Sequence, residues 1–227
     1  MNKFIFIITV IILILVGLYF GFMNLGKGNV EEYKAETAGQ LDEFKNEILD
    51  QIDEKGNVIG SAPRHVFHSN PNMIHGVIHC WIFNNKGQLL WQQRGKNLPV
   101  HPGYWSVTVG GHISSGSTPD ETLVREAKEE LNIEPKLIKD NYTFIKKYTQ
   151  RFEKQTELIY LYYTIIDKPI EYFHILEGDV EKIEWIDVNK AFKLAKSGKK
   201  KTTIFFFDQV PMIVKKYFPS IKLDPSH

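Results

Sequence analysis

The sequence is short of the features that staple a chain or charge it strongly. It has one cysteine, Cys80, in 227 residues, so no intramolecular disulfide can form. Neither charge sign dominates, with 28 Lys and Arg against 27 Asp and Glu. A nearly neutral chain sets up no broad field for nucleic acid or an acidic partner, and neither is expected. No internal repeat is visible, which sets aside solenoids and propellers. Aromatic residues, in contrast, are abundant at 13%. That content favours a packed core over disorder.

Long apolar runs are also lacking, with one exception. Residues 4–23, FIFIITVIILILVGLYFGFM, carry no charge and match the ~20 residues a helix needs to span a bilayer. A cleaved signal peptide is the alternative, but its apolar core is normally ~7–15 residues and ends near small residues. Tyr19, Phe20 and Phe22 occupy this end instead. The reading is an uncleaved N-terminal transmembrane helix within residues 1–23, followed by a polar connector over 24–45. Lys3 precedes the span while Lys27 and Lys34 follow it, so flanking charge barely sets its orientation.

From residue 46 the texture becomes that of a folded domain, expected over 46–220 with a tail at 221–227. Lys55-Gly56-Asn57 lies between two short apolar segments and reads as a hairpin turn. MIHGVIHCWIF, QLLWQQR, YWSVTVGGHI, YTFIKKYT, TELIYLYYTII and VEKIEWID read as strands. Two helices are expected near the end, VNKAFKLAKSG and FFFDQVPMIVKKYF, the second interrupted at Pro211. Asp187 reads as the N-cap of the first, and Trp185 as core. Hairpins mixed with separate helices imply an α/β domain with helices packed on a sheet.

One further helix stands out: STPDETLVREAKEELNI. Thr118 suits an N-cap, Pro119 the first turn, and Glu121 a capping box. At ~100° per residue, Glu126, Glu129 and Glu130 share one face, while Leu123, Val124, Ala127 and Leu131 can bury against a sheet. Like charges one turn apart repel by roughly 0.2–0.5 kcal/mol a pair. Three carboxylates so placed suit a hard cation such as Mg2+ or Mn2+. A solvated acidic face, neutralised by Arg125 and Lys128, is the plainer reading of those residues alone.

The longer stretch GGHISSGSTPDETLVREAKEELNI resembles the Nudix box. Gly111 takes its first position, and Arg125, Glu126, Ala127, Glu129, Glu130 and Ile133 take later ones at the right spacing. Two positions depart from it. Ser117 stands where the box has its first Glu, which in the family helps hold the Arg and the metal-binding loop. Asn132 stands for the last Gly, and Asn tolerates a left-handed backbone better than other non-glycine residues. The resemblance implies an α/β/α sandwich with a mixed sheet. It further implies metal ligation by Glu126, Glu129, Glu130 and the Gly111 carbonyl against a diphosphate. Glu126 or Glu130 would help deprotonate or orient water, and Arg125 would orient the carboxylates.

Over residues 46–190 the chain also looks like isopentenyl-diphosphate isomerases and the hydrolases nearest them. That resemblance implies a second, histidine-ligated metal at His68, His75 and His112, completed by Glu157. Gln155 replaces a further acidic ligand. Zn2+ or Mn2+ would suit such donors; histidines kept for hydrogen bonding within the scaffold are the other reading. His79 matches no family position and reads as packing or surface, and His101 reads as either pocket or turn. The isomerase cysteine has Gly110 in its place, and glycine cannot transfer a proton. Lys196–Lys201 reads as a solvated loop, with contact to anionic lipid as an alternative. The sequence therefore points to a membrane-anchored, metal-dependent hydrolase of a small diphosphate substrate. Its domain is expected in the cytoplasm, because such substrates are mainly cytosolic. Behind this stand an isomerase-like enzyme and a non-catalytic ligand-binding module.

Overall fold

The computed structural model describes residues 46–176 and 178–223. The expected membrane span at 4–23 and the connector at 24–45 lie outside the described residues. Among the described residues, no helix is long and apolar enough to cross a membrane.

The strands are β1 (Ile48–Ile52), β2 (Val58–Pro63), β3 (Ile74–Phe83), β4 (Leu89–Arg94), β5 (Trp105–Ser106), β6 (Val109–His112), β7 (Tyr142–Arg151), β8 (Thr156–Ile165) and β9 (Val180–Ile186). The helices are α1 (Arg64–Phe67), α2 (Pro119–Leu131), α3 (Pro135–Lys139), α4 (Val188–Lys196) and α5 (Ile204–Tyr217). Together the strands make one mixed sheet. β3 runs parallel to β8 and antiparallel to β6, and β4 pairs antiparallel with β9 and β5.

β3 explains the layering. It is buried at every position, as a strand covered on both faces must be. Ile78, Cys80 and Ile82 pack with Leu123, Ala127 and Leu131 of α2. Trp81 and Phe83 point the other way and pack with Phe192 of α4 and Phe206, Val210 and Ile213 of α5. This is the helix–sheet–helix sandwich that the sequence resemblance implied. Cutting fully buried Leu131 to Ala would cost about 2–5 kcal/mol.

Two expectations need correction. YWSVTVGGHI is not one strand: its first segment pairs with β4 and its second with β3. Between them the sheet forks, because β3 and β4 share only the Phe83–Leu89 pair. Thr108 wedges the fork. Its hydroxyl accepts from Ile82 N at 3.1 Å and donates to the Leu90 carbonyl at 2.5 Å, replacing the missing ladder bonds. Pro211, moreover, does not interrupt α5, which runs through it. The carbonyl it deprives of a donor belongs to exposed Phe207, while Val210, Ile213 and Val214 are fully buried. Burial on the core side holds the helix across the gap, as tertiary packing often overrides propensity.

Locally the sequence was readable. Thr118 and Glu121 form the capping box, and Asp187 caps α4 by accepting from Lys190 N at 2.9 Å. Asn132 ends α2 with φ 53°, ψ 32°, the left-handed conformation expected where the box has Gly. Trp185 is half-buried beside the core, its Nε1 donating to the Lys168 carbonyl at 3.1 Å.

Candidate active site

α2 sets its glutamates at the fork. Arg125 Nη1 donates to Glu129 Oε2 at 2.7 Å and Nη2 to Glu126 Oε1 at 2.8 Å. The guanidinium also reaches the His112 carbonyl at 3.4 Å. One Arg thus holds two carboxylates and the end of β6, with the fork geometry that suits Arg. Gly111 is required for this approach, since a Cβ there would overlap the Glu126 carboxylate.

Glu130 differs from its neighbours. Glu126 and Glu129 are partly exposed, but Glu130 is only 7% exposed and its Oε2 has no hydrogen-bond partner. Burial, then the carboxylates of Glu126 and Asp179, push its pKa well above the usual range, with Arg94 and Gln92 pulling the other way. A buried acid crowded by other acids is costly without a cation.

The histidine cluster lies across the sheet. Register places His112 opposite Val77 and Glu157 opposite His75, so these side chains share one face. His68 follows α1 as its C-cap. The ligand atoms of His68, His75 and His112 lie within 4.8 Å of one another, with His68 Nε2 and His112 Nε2 3.1 Å apart. His75 and His112 stack with ring centroids at 5.1 Å. His75 is fully buried and neither of its nitrogens has a partner. Burial and then Arg64 hold His68 at about 4, burial and then His68 and Arg64 hold His75 at about 3, and burial with Arg64, the other two histidines and Arg94 lowers His112 well below normal. Burial raises Glu157 to about 7. Its Oε2 is unpartnered, while Gln155 Nε2 donates to Oε1 at 2.7 Å. Gln155 therefore steadies Glu157 by donation, with its nitrogen rather than its oxygen directed there.

Other singled-out residues serve different ends. His79 is buried on a network with Gln209, which also bonds Trp81 and Tyr148, and it meets Phe205 edge-on at 4.4 Å. His101 has φ 51° and packs against Tyr104. In the basic run, Lys200 is tied to Glu184 at 2.8 Å and sits over the Trp105 ring at 3.2 Å. Cys80 is fully buried on the α2 side, where desolvation pushes its thiol pKa far up. Gly110 pairs with His79, on the other face.

Three charged residues were missed in the sequence. Arg94, at the end of β4, influences Glu130, Asp179, His79, His101 and His112. Asp179 precedes β9 and is half-buried, and desolvation raises its pKa. Arg64 acts on the histidines, Glu157 and Asp179. Their signals, an Arg after a strand, a Gly-Asp before one and an Arg after Pro63, are each commonplace in turns.

A mixed sheet forked at a glycine turn, with a glutamate helix against the turn, defines a known class of domain. The NUDIX domain family matches residues 73–205, and the chain belongs to that family. Isopentenyl-diphosphate Delta-isomerase of Citrobacter koseri is 32% identical over 80 residues, covering 35% of this chain and 44% of that protein. The Salmonella heidelberg isomerase is 33% identical over 75 residues, covering 33% and 41%. The chain thus spans less than half the length of the curated relatives it matches. Among solved structures, DR0079 of Deinococcus radiodurans superposes with a TM-score of 0.59 at 22% identity, over 75% of this chain and 99% of that one. A MutT protein of Methanosarcina mazei gives 0.50 at 17% identity, over 65% and 98%. At these identities the structural likeness shows the fold.

Proposed function

We propose that this chain is a metal-dependent hydrolase that cleaves a phosphoanhydride in a diphosphate-containing substrate. The observation that carries the reading is Glu130, buried and with an unpartnered carboxylate oxygen, beside Glu126 and next to a glycine that only a missing Cβ keeps open. These hard oxygen donors fit Mg2+ or Mn2+. Glu126, Glu129, Glu130 and the Gly111 carbonyl would hold it. When bound, such an ion polarises phosphoryl oxygen and acidifies water. The protein's own groups then divide the work. Arg125 keeps Glu126 and Glu129 in position. Glu130 or Glu126 takes the proton of the attacking water, and Arg94 and Arg64 supply positive charge for an anionic substrate.

The imidazoles and Glu157 fit a second ion of the Zn2+ or Mn2+ type, since His75 and Glu157 both carry buried unpartnered atoms. Residues 4–23 are proposed to anchor the protein, with this domain on the cytoplasmic side. Fractionation would place the intact chain in an alkali-resistant membrane pellet; a soluble, N-terminally shortened product would refute the anchor. Protease added outside intact cells would spare the domain, and digestion there would overturn the orientation alone.

The partial match to isomerases favours one second reading, conversion of isopentenyl diphosphate to its allylic isomer. Gly110 offers no proton there, and Cys80 is sealed on the other side of the sheet. The purified chain, given Mg2+ or Mn2+ and a panel of diphosphates, decides among the readings. Phosphate release supports hydrolysis. Double-bond migration above a metal-only control supports isomerisation, and saturable binding without turnover leaves a ligand-binding module.

A further inference from the structure

The tip of the segment between β6 and α2, residues 115–117, has no apolar side chain to hold it in place. Ser115 and Gly116 are exposed, and Gly116 has φ +80°. Short polar loops with few apolar contacts open readily. Yet this loop joins Gly111 to the helix carrying Arg125, so its position sets the distance between the glycine carbonyl and the glutamates.

β1 holds it. Leu49 pairs with Ser114, and Ser115 N donates to the Ile48 carbonyl at 2.8 Å. Asp50 completes the attachment with both carboxylate oxygens: Ser115 Oγ donates to Oδ1 at 2.6 Å, and Gly116 N donates to Oδ2 at 3.1 Å. Hydrogen bonds to a charged acceptor are stronger than neutral ones. Ser117, standing where the box has Glu, contributes its N–H to the Ser114 carbonyl at 3.0 Å, which only closes the turn.

We propose that Asp50 is a positioning residue for the glutamate site, fixing the loop through Ser115 and Gly116 so that Gly111 and α2 keep the spacing a divalent cation needs. The inference rests on the hydrolase reading, but its test does not depend on turnover. Mn2+ binding to the full chain carrying His75→Asn, which removes the histidine cluster from the count, is titrated by electron paramagnetic resonance alone and with Asp50→Ala, Asp50→Asn, Ser115→Ala and the Asp50→Ala/Ser115→Ala pair added. Amide exchange across residues 113–117 and thermal unfolding without metal are followed in parallel.

Asp50→Ala weakens Mn2+ binding about tenfold, the scale of losing a hydrogen bond to a charged group. Exchange in the loop quickens while β3 and β8 stay protected. Asp50→Asn, which keeps an acceptor oxygen, loses less. Ser115→Ala adds little to Asp50→Ala, because both act on one linkage. Unchanged Mn2+ affinity in Asp50→Ala, or fully additive losses in the double variant, would overturn the proposal. So would a fall in unfolding temperature with loop exchange unaltered. If no diphosphate is cleaved but these binding shifts occur, hydrolysis fails as a reading while the role of Asp50 stands.

Discussion

The glutamate site and the histidine cluster lie on opposite faces of one strand, and they carry their polar groups differently. On the α2 side, Arg125 already pairs with one oxygen each of Glu126 and Glu129, while Glu130 keeps a buried oxygen without a partner. On the other side, His75 has no partner for either nitrogen and Glu157 has one open oxygen. The first region is partly neutralised and exposed at its rim. The second is desolvated and held neutral by burial. The same sheet therefore offers hard, charged oxygen donors on one face and softer neutral nitrogens on the other.

The sharpest way to break the comparison is Glu130→Gln. It should cut turnover with saturating Mg2+ by about a hundred- to a thousandfold, the scale of losing a charged group at a reacting centre. The metal-free fold should be unharmed or slightly stabilised, since a buried charge is gone. Unchanged turnover would sink the assignment of this glutamate.

Acid titration of the metal-free protein comes next. His68 and His79 are held at about 4 and His75 at about 3, against about 6.5 when unfolded. The folded state binds fewer protons in that window, so this stability is complete above pH 6.5 and is lost as pH falls through the folded values. Buried His79 alone contributes about 3 kcal/mol. Glu157 works oppositely: its pKa is raised to about 7, so its contribution is present below about 4.5 and fades as pH rises through 7. Urea midpoints should climb from pH 4 to 6.5 and then flatten or dip. Zn2+ should lift the neutral end through His75 and leave the share of His79, bound to Gln209, untouched.

His75→Asn should weaken Zn2+ binding at least a hundredfold by equilibrium dialysis, yet lower Mg2+-supported turnover less than about tenfold. Equal loss of both would mean the two regions form one site. The smallest effect is expected at Asn132. Asn132→Gly should shift stability by less than about 1 kcal/mol, whereas Asn132→Val should cost about 1–2 kcal/mol, because valine resists the left-handed backbone. Equal melting temperatures for the two variants would remove that explanation.

What could be read in advance was what depends on near neighbours. The Thr118 capping box, the Lys55–Asn57 turn and the left-handed Asn132 each involve residues a few positions apart. The grouping of His68, His75 and His112 came through family resemblance, because those residues meet only when α1, β3 and β6 come together; Glu157 lies opposite His75 on β8 but outside that cluster. Helical spacing correctly put Glu126 and Glu130 on one side of α2 but could not tell that Glu130 would be buried beside Arg94 and Asp179. Thr108 likewise gave no sign that its hydroxyl would hold β3 and β4 apart. That role exists only once Ile82 and Leu90 flank it.

β6 has a consequence for how such a protein can vary. Gly111 and His112 are adjacent, so one faces the carboxylates and the next faces the imidazoles. Strand parity makes them inseparable: a slip of one residue would put an imidazole against Glu126 and leave the other cluster without its third nitrogen. A substitution on α2 reaches one set of donors and a substitution on β8 the other. Any insertion or deletion that shifts Gly111 and His112 along β6 reaches both at once.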